Sequence, residues 1–501
     1  MKRWRWIALL LCALLTVSVF AACETKPQAE SSTVSVDGPV GMTKQLLDHL
    51  GERDLEEFEL VILSTTEESA FGDIQFATDE LNSDPVNDAI FERNNLLEDL
   101  YNCKITVQFC GEGEPFLERV TTDCLSGTVN YQVVASGISS TGIPKLALDG
   151  LIQDLYAIED SHLQLDGDWW DQNAIDDLSI GNKLFFASGD IAVTDDEMTT
   201  MLVFNKELIE ENQLEDPYQL VRDDKWTMDK MYEMCKAVAK DGGDGVMNIA
   251  GEEDTWGLIG AAFDCYRLIL GGNAPMVSKD ENDLPVISVT NAYNVDVFLD
   301  VYEIMTDKSR VAWWEQYYRW DDYENGRKLT DQFYAGRVLF MVSDVCSMND
   351  ERMLNSQIQY GVLPLPKYNE EQTHYASTIN PYKFTCVSLP RDTFVDTDKT
   401  TFLLEAMAYY NKSEVMPLYY ETTLKLQATD SDEDARMLDV IFDSAFYDLG
   451  SIFTWGTLSG LYGSVISNDA DNTLISSWQQ IESAVTTAME NTLQQYRDSL
   501  T

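Results

Sequence analysis

Apolar positions in the first third of the chain alternate between runs that suit strands and spacings that suit helices. Residues 58–63 (Phe-Glu-Leu-Val-Ile-Leu) form a short apolar run of the kind that makes a buried strand. A polar stretch, 64–69, follows as a loop. Asp84-Pro85 then marks a helix start, a capping carboxylate with proline at the first helical position. Val86, Ile90, Leu97 and Leu100 continue at helical spacing. Residues 104–109 alternate like a strand, 115–125 are helical with Phe116, Val120 and Cys124 on one face, and 131–135 are the next strand. A β-α-β-α-β order implies a parallel sheet with helices packed on it. Ligands of such sheets bind beyond the carboxyl ends of the strands. This makes 64–67 and 136–140 candidate site segments, with Thr65, Glu67, Ser136 and Ser139 as their polar side chains.

The remainder continues in the same manner. Residues 181–190 read as a turn and strand, 201–206 as a strand running into a helix, and Thr227 as the cap of a helix carrying Met231, Met234, Cys235 and Val238. The glycine-rich run 241–245 closes that helix. Its glycines occupy places where a calcium loop needs oxygen ligands, so a plain turn is the expectation and no metal site is assigned. Gly336 stops a helix before a strand at 337–342. Residues 360–366 read as an extended edge and 383–389 as a strand. Residues 396–425 and most of 436–499 are helical. No internal repeat is present.

The N-terminus changes the picture from fold to place. Lys2, Arg3 and Arg5 precede an apolar run, 7–20, that ends at Ala21-Ala22-Cys23. A basic start, a short apolar core and small residues before the cut are the marks of an export signal, and the run is short for a membrane-spanning helix. The small residues before Cys23, with Phe20 where leucine is usual, resemble a bacterial lipobox, which implies lipidation of Cys23. The expected division is a signal at 1–22 and a flexible, lipid-anchored tether at 23–54. Two or more acyl chains would hold the chain stably at a membrane surface, on the outer face of the cytoplasmic membrane.

Composition excludes several classes. A chain of 501 residues with formal net charge −52 repels nucleic-acid phosphates and anionic lipid heads. Attachment must then come from the lipid, and the charge itself serves solubility. Beyond Cys12 and Cys23 seven cysteines remain, an odd number without a Cys-x-x-Cys, read as small buried hydrophobes. A Cys103–Cys110 bridge is open only if the two do not sit at opposite ends of one strand. With three histidines, no His-Glu-x-x-His, no Gly-x-Ser-x-Gly and no phosphate-binding loop, no catalytic residue or cofactor is assigned. Carboxylate pairs for glycoside hydrolysis arise by chance among 86 acidic residues, so a surface carbohydrate-active enzyme stays as the rival reading, followed by a sensor or adhesion module.

Several motifs fall into a known order. After the lipobox come Gly181-Asn-Lys-Leu-Phe-Phe, Val203-Phe-Asn-Lys-Glu-Leu208, Lys225-Trp-Thr-Met-Asp229, Asp241-Gly-Gly-Asp-Gly245, Phe333-Tyr-Ala-Gly-Arg337 and Gly361-Val-Leu-Pro-Leu-Pro366. The ordered set, over about residues 55–500, resembles the family 1 extracellular solute-binding proteins of ABC importers. The resemblance departs at Lys230, where the family often has an acidic residue, so Asp229 must serve the helix dipole.

The resemblance implies an α/β, two-lobed periplasmic-binding-protein fold (type II) with hinge strands near 190–199 and 374–383. Lobe one would hold about 55–193 and 375–427, lobe two about 199–370 and 430–500. It further implies a monomer that hands a solute, most often a mono- or oligosaccharide, to a permease. Sugars stack on aromatic rings and hydrogen-bond to neighbouring carboxylates and amides. The candidate ligand-binding residues are therefore Thr65, Glu67, Ser136, Ser139, Asp190, Trp256, Phe263, Asp264, Trp314, Asp344 and Trp455. For each ring, core packing is the competing explanation.

Overall fold

Burial of the apolar runs produces two sheets joined by paired crossings. The computed structural model describes residues 38–65, 76–111, 114–138, 142–249, 253–319, 323–382, 384–425, 431–468 and 472–498. Cys23, Glu67 and Ser139 lie outside these residues. The described strands are β1 (Phe58–Ser64), β2 (Cys103–Phe109), β3 (Val133–Gly137), β4 (Thr200–Asn205), β5 (Trp256–Gly260), β6 (Val277–Lys279), β7 (Pro285–Ile287), β8 (Val311–Trp313), β9 (Val338–Asp344), β10 (Tyr360–Leu363), β11 (Ser377–Thr378), β12 (Thr385–Ser388) and β13 (Ala445–Phe446).

The first sheet has the order β12-β3-β1-β2. As the β-α-β-α-β pattern predicts, β1 runs parallel to both β2 and β3, whereas β12 returns antiparallel along β3. Its helices begin as read. The Asp84 side chain accepts from Asn87 N at 2.8 Å, with Pro85 opening the helix Pro85–Tyr101. The second sheet has the order β10-β4-β9-β5-β8, with β5 parallel to β8 and β9, and β4 antiparallel to β9. The predicted extended edge is indeed the edge strand β10. Gly336 has φ +77°, the left-handed stop before β9. Thr227 caps the helix Met228–Val238.

The two sheets share their connections. Residues 188–199 leave the first sheet beside β12, where Ala187 bridges Val387, and enter β4 at Thr200. Residues 379–382 run the opposite way alongside, with Ile379 bridging Thr199. A third connection leaves the helix Ser431–Asp443 through β13, which pairs with β11. These crossings make the architecture two-lobed, and both ends of each lie at the carboxyl edges of the sheets. At the first sheet these edges are Ser64, Phe109 and Gly137; at the second they are Gly260, Trp313 and Asp344.

Two expectations need correction. Residues 38–50, counted with the tether, form the helix Gly38–Leu50. Met42 and Leu46 are fully buried in the core, and His49 Nε2 lies 3.0 Å from the buried Glu405. The polar surroundings of this stretch hid two apolar anchors one turn apart. Residues 181–190 make isolated bridges instead of a strand, because the chain there is leaving the sheet. Most of 436–499 is helical as read, with breaks at β13 and at a turn in which Thr454, Gly456 and Thr457 have positive φ. Cys103 and Cys110 flank β2 from opposite ends, and both are free thiols.

Candidate ligand-binding site

The carboxyl edge of the second sheet gathers five polar side chains that converge from four segments. Where β5 ends, the chain turns through Ala261 and Ala262 into the helix Asp264–Gly271. The Asp264 carboxylate accepts from Ala261 N at 2.6 Å. A Cβ at Gly260 would lie 2.4 Å from Asp264 Oδ2, so only glycine lets the carboxylate fold back over the strand end. One turn on, Arg267 reaches Asp264 Oδ1 at 3.1 Å and Asp344 Oδ1, at the end of β9, at 3.0 Å. Asp344 also accepts from Thr200 Oγ1 at 3.2 Å and from Asn380 Nδ2 at 2.9 Å. Asn380 belongs to the crossing 379–382, so Asp344 ties a strand end of one sheet to the connection leading to the other.

Two rings stand over this polar frame. Phe263 is half-buried, and the Arg267 guanidinium lies 5.8 Å from its centroid. Tyr382, two residues beyond Asn380, faces Phe263 with centroids 6.3 Å apart and ring planes at 65°. Its backbone N–H donates to Asn380 Oδ1 at 3.2 Å, an Asx-type turn that sets its direction. Tyr382 keeps 45% of its surface exposed, although it lies beside buried charges. An exposed ring next to fixed carboxylate and amide groups offers a stacking face together with hydroxyl partners.

Burial sets the charge state. Burial raises the Asp264 carboxyl to about 6, with Arg267 pulling the other way. Burial works against the Arg267 guanidinium, and Asp344 and Asp264 outweigh it and hold its pKa above the usual value. The guanidinium is thus shared by two carboxylates.

The sequence-predicted residues separate into three groups. Phe263, Asp264 and Asp344 come together as described. Thr65 and Ser136 are buried at the carboxyl edge of the first sheet, where the Thr65 carbonyl accepts from Gly111 N at 2.7 Å. Asp190 lies in the crossing 188–199 with its carboxylate 3.5 Å from Lys412 Nζ, and burial raises it to about 7. The tryptophans sit elsewhere. Trp256 opens β5 and is fully buried; Trp455 stacks on Phe453 at 4.9 Å and donates to Thr492 Oγ1 at 2.8 Å. Trp314 follows β8, half-buried, and donates to the Arg319 carbonyl at 2.8 Å. Arg267, Asn380 and Tyr382 were not picked out in the sequence. Arg267 had a signal, its i,i+3 spacing from Asp264, and Asn380-Pro381 marks a turn inside a predicted crossing.

A separate cavity of about 820 Å³ lies on β11 and β13 between Asn173, Tyr375 and Met437. Its arginines, Arg222 and Arg436, are both held by Glu433. The exposed ring beside convergent polar groups makes the Phe263–Asp344 group the candidate site, and the cavity is a separate feature.

A family profile described as bacterial extracellular solute-binding protein matches residues 86–383. No curated protein matches by sequence. Among solved structures, a cyclo/maltodextrin-binding protein complexed with maltotetraose aligns at 14% identity and TM-score 0.54, covering 88% of this chain and 98% of its own. A cyclic alpha-maltosyl-1,6-maltose binding protein from Arthrobacter globiformis aligns at 11% identity and TM-score 0.56, covering 87% and 100%. UgpB from Mycobacterium tuberculosis, in complex with glycerophosphocholine, aligns at 11% identity and TM-score 0.51, covering 87% and 98%. At these identities the likeness is one of fold.

Proposed function

The chain belongs to the bacterial extracellular solute-binding proteins, and we propose that it is the lipid-anchored receptor of an ABC importer, closing two lobes around a mono- or oligosaccharide. Lobe one in this reading comprises about 55–193 and 375–427 together with the packed helix Gly38–Leu50, and lobe two about 199–370 and 430–500. The observation that carries the saccharide assignment is the exposed Tyr382 ring facing Phe263 beside Asp344 and Asn380. A pyranose face stacks on the ring while its hydroxyls meet the carboxylate and amide. The structural neighbours described as a cyclo/maltodextrin-binding protein and a cyclic alpha-maltosyl-1,6-maltose binding protein support the same class. The chain performs no bond chemistry; the work of transport belongs to the permease and its ATPase.

Closure follows from differential affinity. A ligand that touches both the second sheet's edge and the crossings gains contacts only when the lobes approach, so it favours the closed state by that difference. Calorimetric titration with maltotetraose tests the assignment. Tyr382→Ala should weaken binding about tenfold, the loss of one stacked ring of about 1–1.5 kcal/mol, with the melting temperature unchanged because the ring is exposed. Wild-type affinity in the variant would remove Tyr382 from the site, and release of new reducing ends would favour the enzyme reading.

The anchor has its own test. Among the described residues no helix is long and apolar enough to cross a membrane, and in this reading attachment rests on lipidated Cys23. Cys23→Ala should move the protein from the membrane pellet to the soluble fraction; retention in the pellet would refute the anchor.

A further inference from the structure

A buried arginine and a helical irregularity together grip the crossing 188–199. The helix Thr397–Tyr410 passes into a π-helical turn, Asn411–Val415, before it resumes as Met416–Lys425. Such turns insert an extra residue into a helix and recur at functional positions. Here the irregularity presents Asn411, 2% exposed, to the crossing. Asn411 Nδ2 donates to the carbonyls of Asp190 at 2.7 Å and Ile191 at 3.2 Å. Its Oδ1 accepts from Arg93 Nη1 at 2.9 Å. The amide has one workable orientation, since a guanidinium only donates and carbonyls only accept.

Arg93 is fully buried on the helix Pro85–Tyr101, and no ion pair to it occurs among the described residues. Burial lowers it to about 10, which still leaves it charged at neutral pH. Its remaining donors go to Asn94 Oδ1 at 2.9 Å and to the Phe76 carbonyl. A buried charge held by neutral acceptors alone is costly, so a purely architectural contact would be better made by an apolar side chain. Lys412, next in the π turn, adds a second hold: Nζ donates to the Asp168 carbonyl at 3.0 Å and lies 3.5 Å from the Asp190 carboxylate.

The position of these contacts matters more than their number. The crossing is bridged at Ala187, at Gly189 to Trp170 and at Thr199, and Asp190 N donates to the Trp169 carbonyl at 3.0 Å. At Asp190 and Ile191 its carbonyls are held by the Asn411 side chain. A hinge works by changing φ and ψ at a few such residues, and that change reorients the carbonyls that Asn411 holds.

We propose that Arg93 and Asn411 are hinge-positioning residues: the guanidinium fixes the Asn411 amide, the amide fixes the backbone of Asp190 and Ile191, and together they set the resting opening of the two lobes and thereby the affinity of the cleft. The proposal rests on the closure reading above. Asn411→Asp separates hinge from architecture. It keeps an acceptor for Arg93 but removes both donors to the crossing. Lys412→Met, at a side chain 44% exposed, releases the Asp190 carboxylate without touching the core.

The readout is the distance between spin labels on noncanonical residues at Leu125 and Leu299, both exposed and one on each side of the crossings. Expected for Asn411→Asp is a shifted ligand-free distance distribution and a change of at least about threefold in maltotetraose Kd, with a lowered melting temperature because a carboxylate oxygen then faces the two carbonyls, and with Lys412→Met shifting the distances in the same direction. Wild-type distances without ligand in both variants would overturn the proposal, whatever happens to stability. Absence of maltotetraose-induced closure in the wild type would count against the saccharide reading, and the ligand-free distances would still decide the role of Arg93 and Asn411.

Discussion

Replacing Arg267 with methionine should cost the fold about 3–5 kcal/mol and abolish saccharide binding. Removing one partner of a buried ion pair leaves an uncompensated charge, which costs that much by itself, and here two carboxylates lose the same cation. Asp344 would no longer be held in position for Asn380, and the Phe263 ring would lose the guanidinium that lies against it. The loss should depend on pH with a definite sign. Asp264 already has its folded-state pKa raised to about 6 by burial, above its unfolded value. A group raised in this way stabilises the fold fully below its unfolded pKa and loses that contribution as pH rises through the folded value. Without Arg267 the rise is larger, so urea unfolding of the variant should show a smaller deficit at pH 5 than at pH 8. Equal deficits would mean that the carboxylates do not depend on the guanidinium. Binding at wild-type affinity would place the saccharide elsewhere.

The same residues show how far the chain's pattern can be read. Alternation and capping signals found β1, β2, β3, β4, β9 and the edge strand β10, because each reports only which way a side chain faces and where a helix starts. These signals also pick out Asp344 as a candidate, since a residue just past a strand's carboxyl end is exposed to whatever binds there; Phe263 and Asp264 enter only through the family resemblance. Neither route found Asn380 or Tyr382 as their partners. The strand order β10-β4-β9-β5-β8 is not the chain order, and which loop ends meet across it is a property of topology that periodicity does not carry. Aromatic density misled in the usual direction. Trp256 and Trp455 are large apolar side chains first, and the structure packs both inside, whereas the ring left at the surface beside the carboxylates is a tyrosine in a crossing. Helix Gly38–Leu50 escaped for the opposite reason: an apolar N-terminal run and a polar stretch precede it in the sequence, and two buried residues make a weak pattern.

Replacing Asp195 and Asp196 together with asparagine should raise the melting temperature at pH 8.5 and leave it nearly unchanged at pH 5. Both carboxyls lie in the crossing 188–199, in the short helix Thr194–Glu197. Burial raises both; the charges of Asp196, Asp171 and Asp190 add to the rise at Asp195, and those of Asp190 and Asp171 to the rise at Asp196. The groups facing them are mostly acidic or neutral. Asp171 and Asp168 come from the segment before the helix Gln172–Leu178, with the Tyr447 hydroxyl on Asp171 and Cys386 from β12; Lys412 supplies the positive charge. Asp177, which accepts from Tyr447 N at 3.0 Å, is raised by burial to about 7, as is Asp190. All these folded-state values lie above the unfolded ones. Their favourable contribution is complete below the ordinary carboxylate range and is lost as pH rises, through about 7 for Asp177 and Asp190 and through about 8 for Asp196. Carboxylates held low behave in the reverse way. Asp398, lowered first by Arg53, supports the fold above its unfolded pKa and fails only in stronger acid. The wild type should therefore be most stable in mild acid and lose stability between pH 5 and pH 8.5. Asparagine keeps the Oδ1 that accepts from Asp196 N at 3.0 Å while removing the charge, so the double variant should flatten the profile. Calorimetric melting across that range decides it: a wild-type curve that rises toward pH 8.5, or a double variant with the wild-type slope, would show that these hinge carboxylates do not govern the pH response.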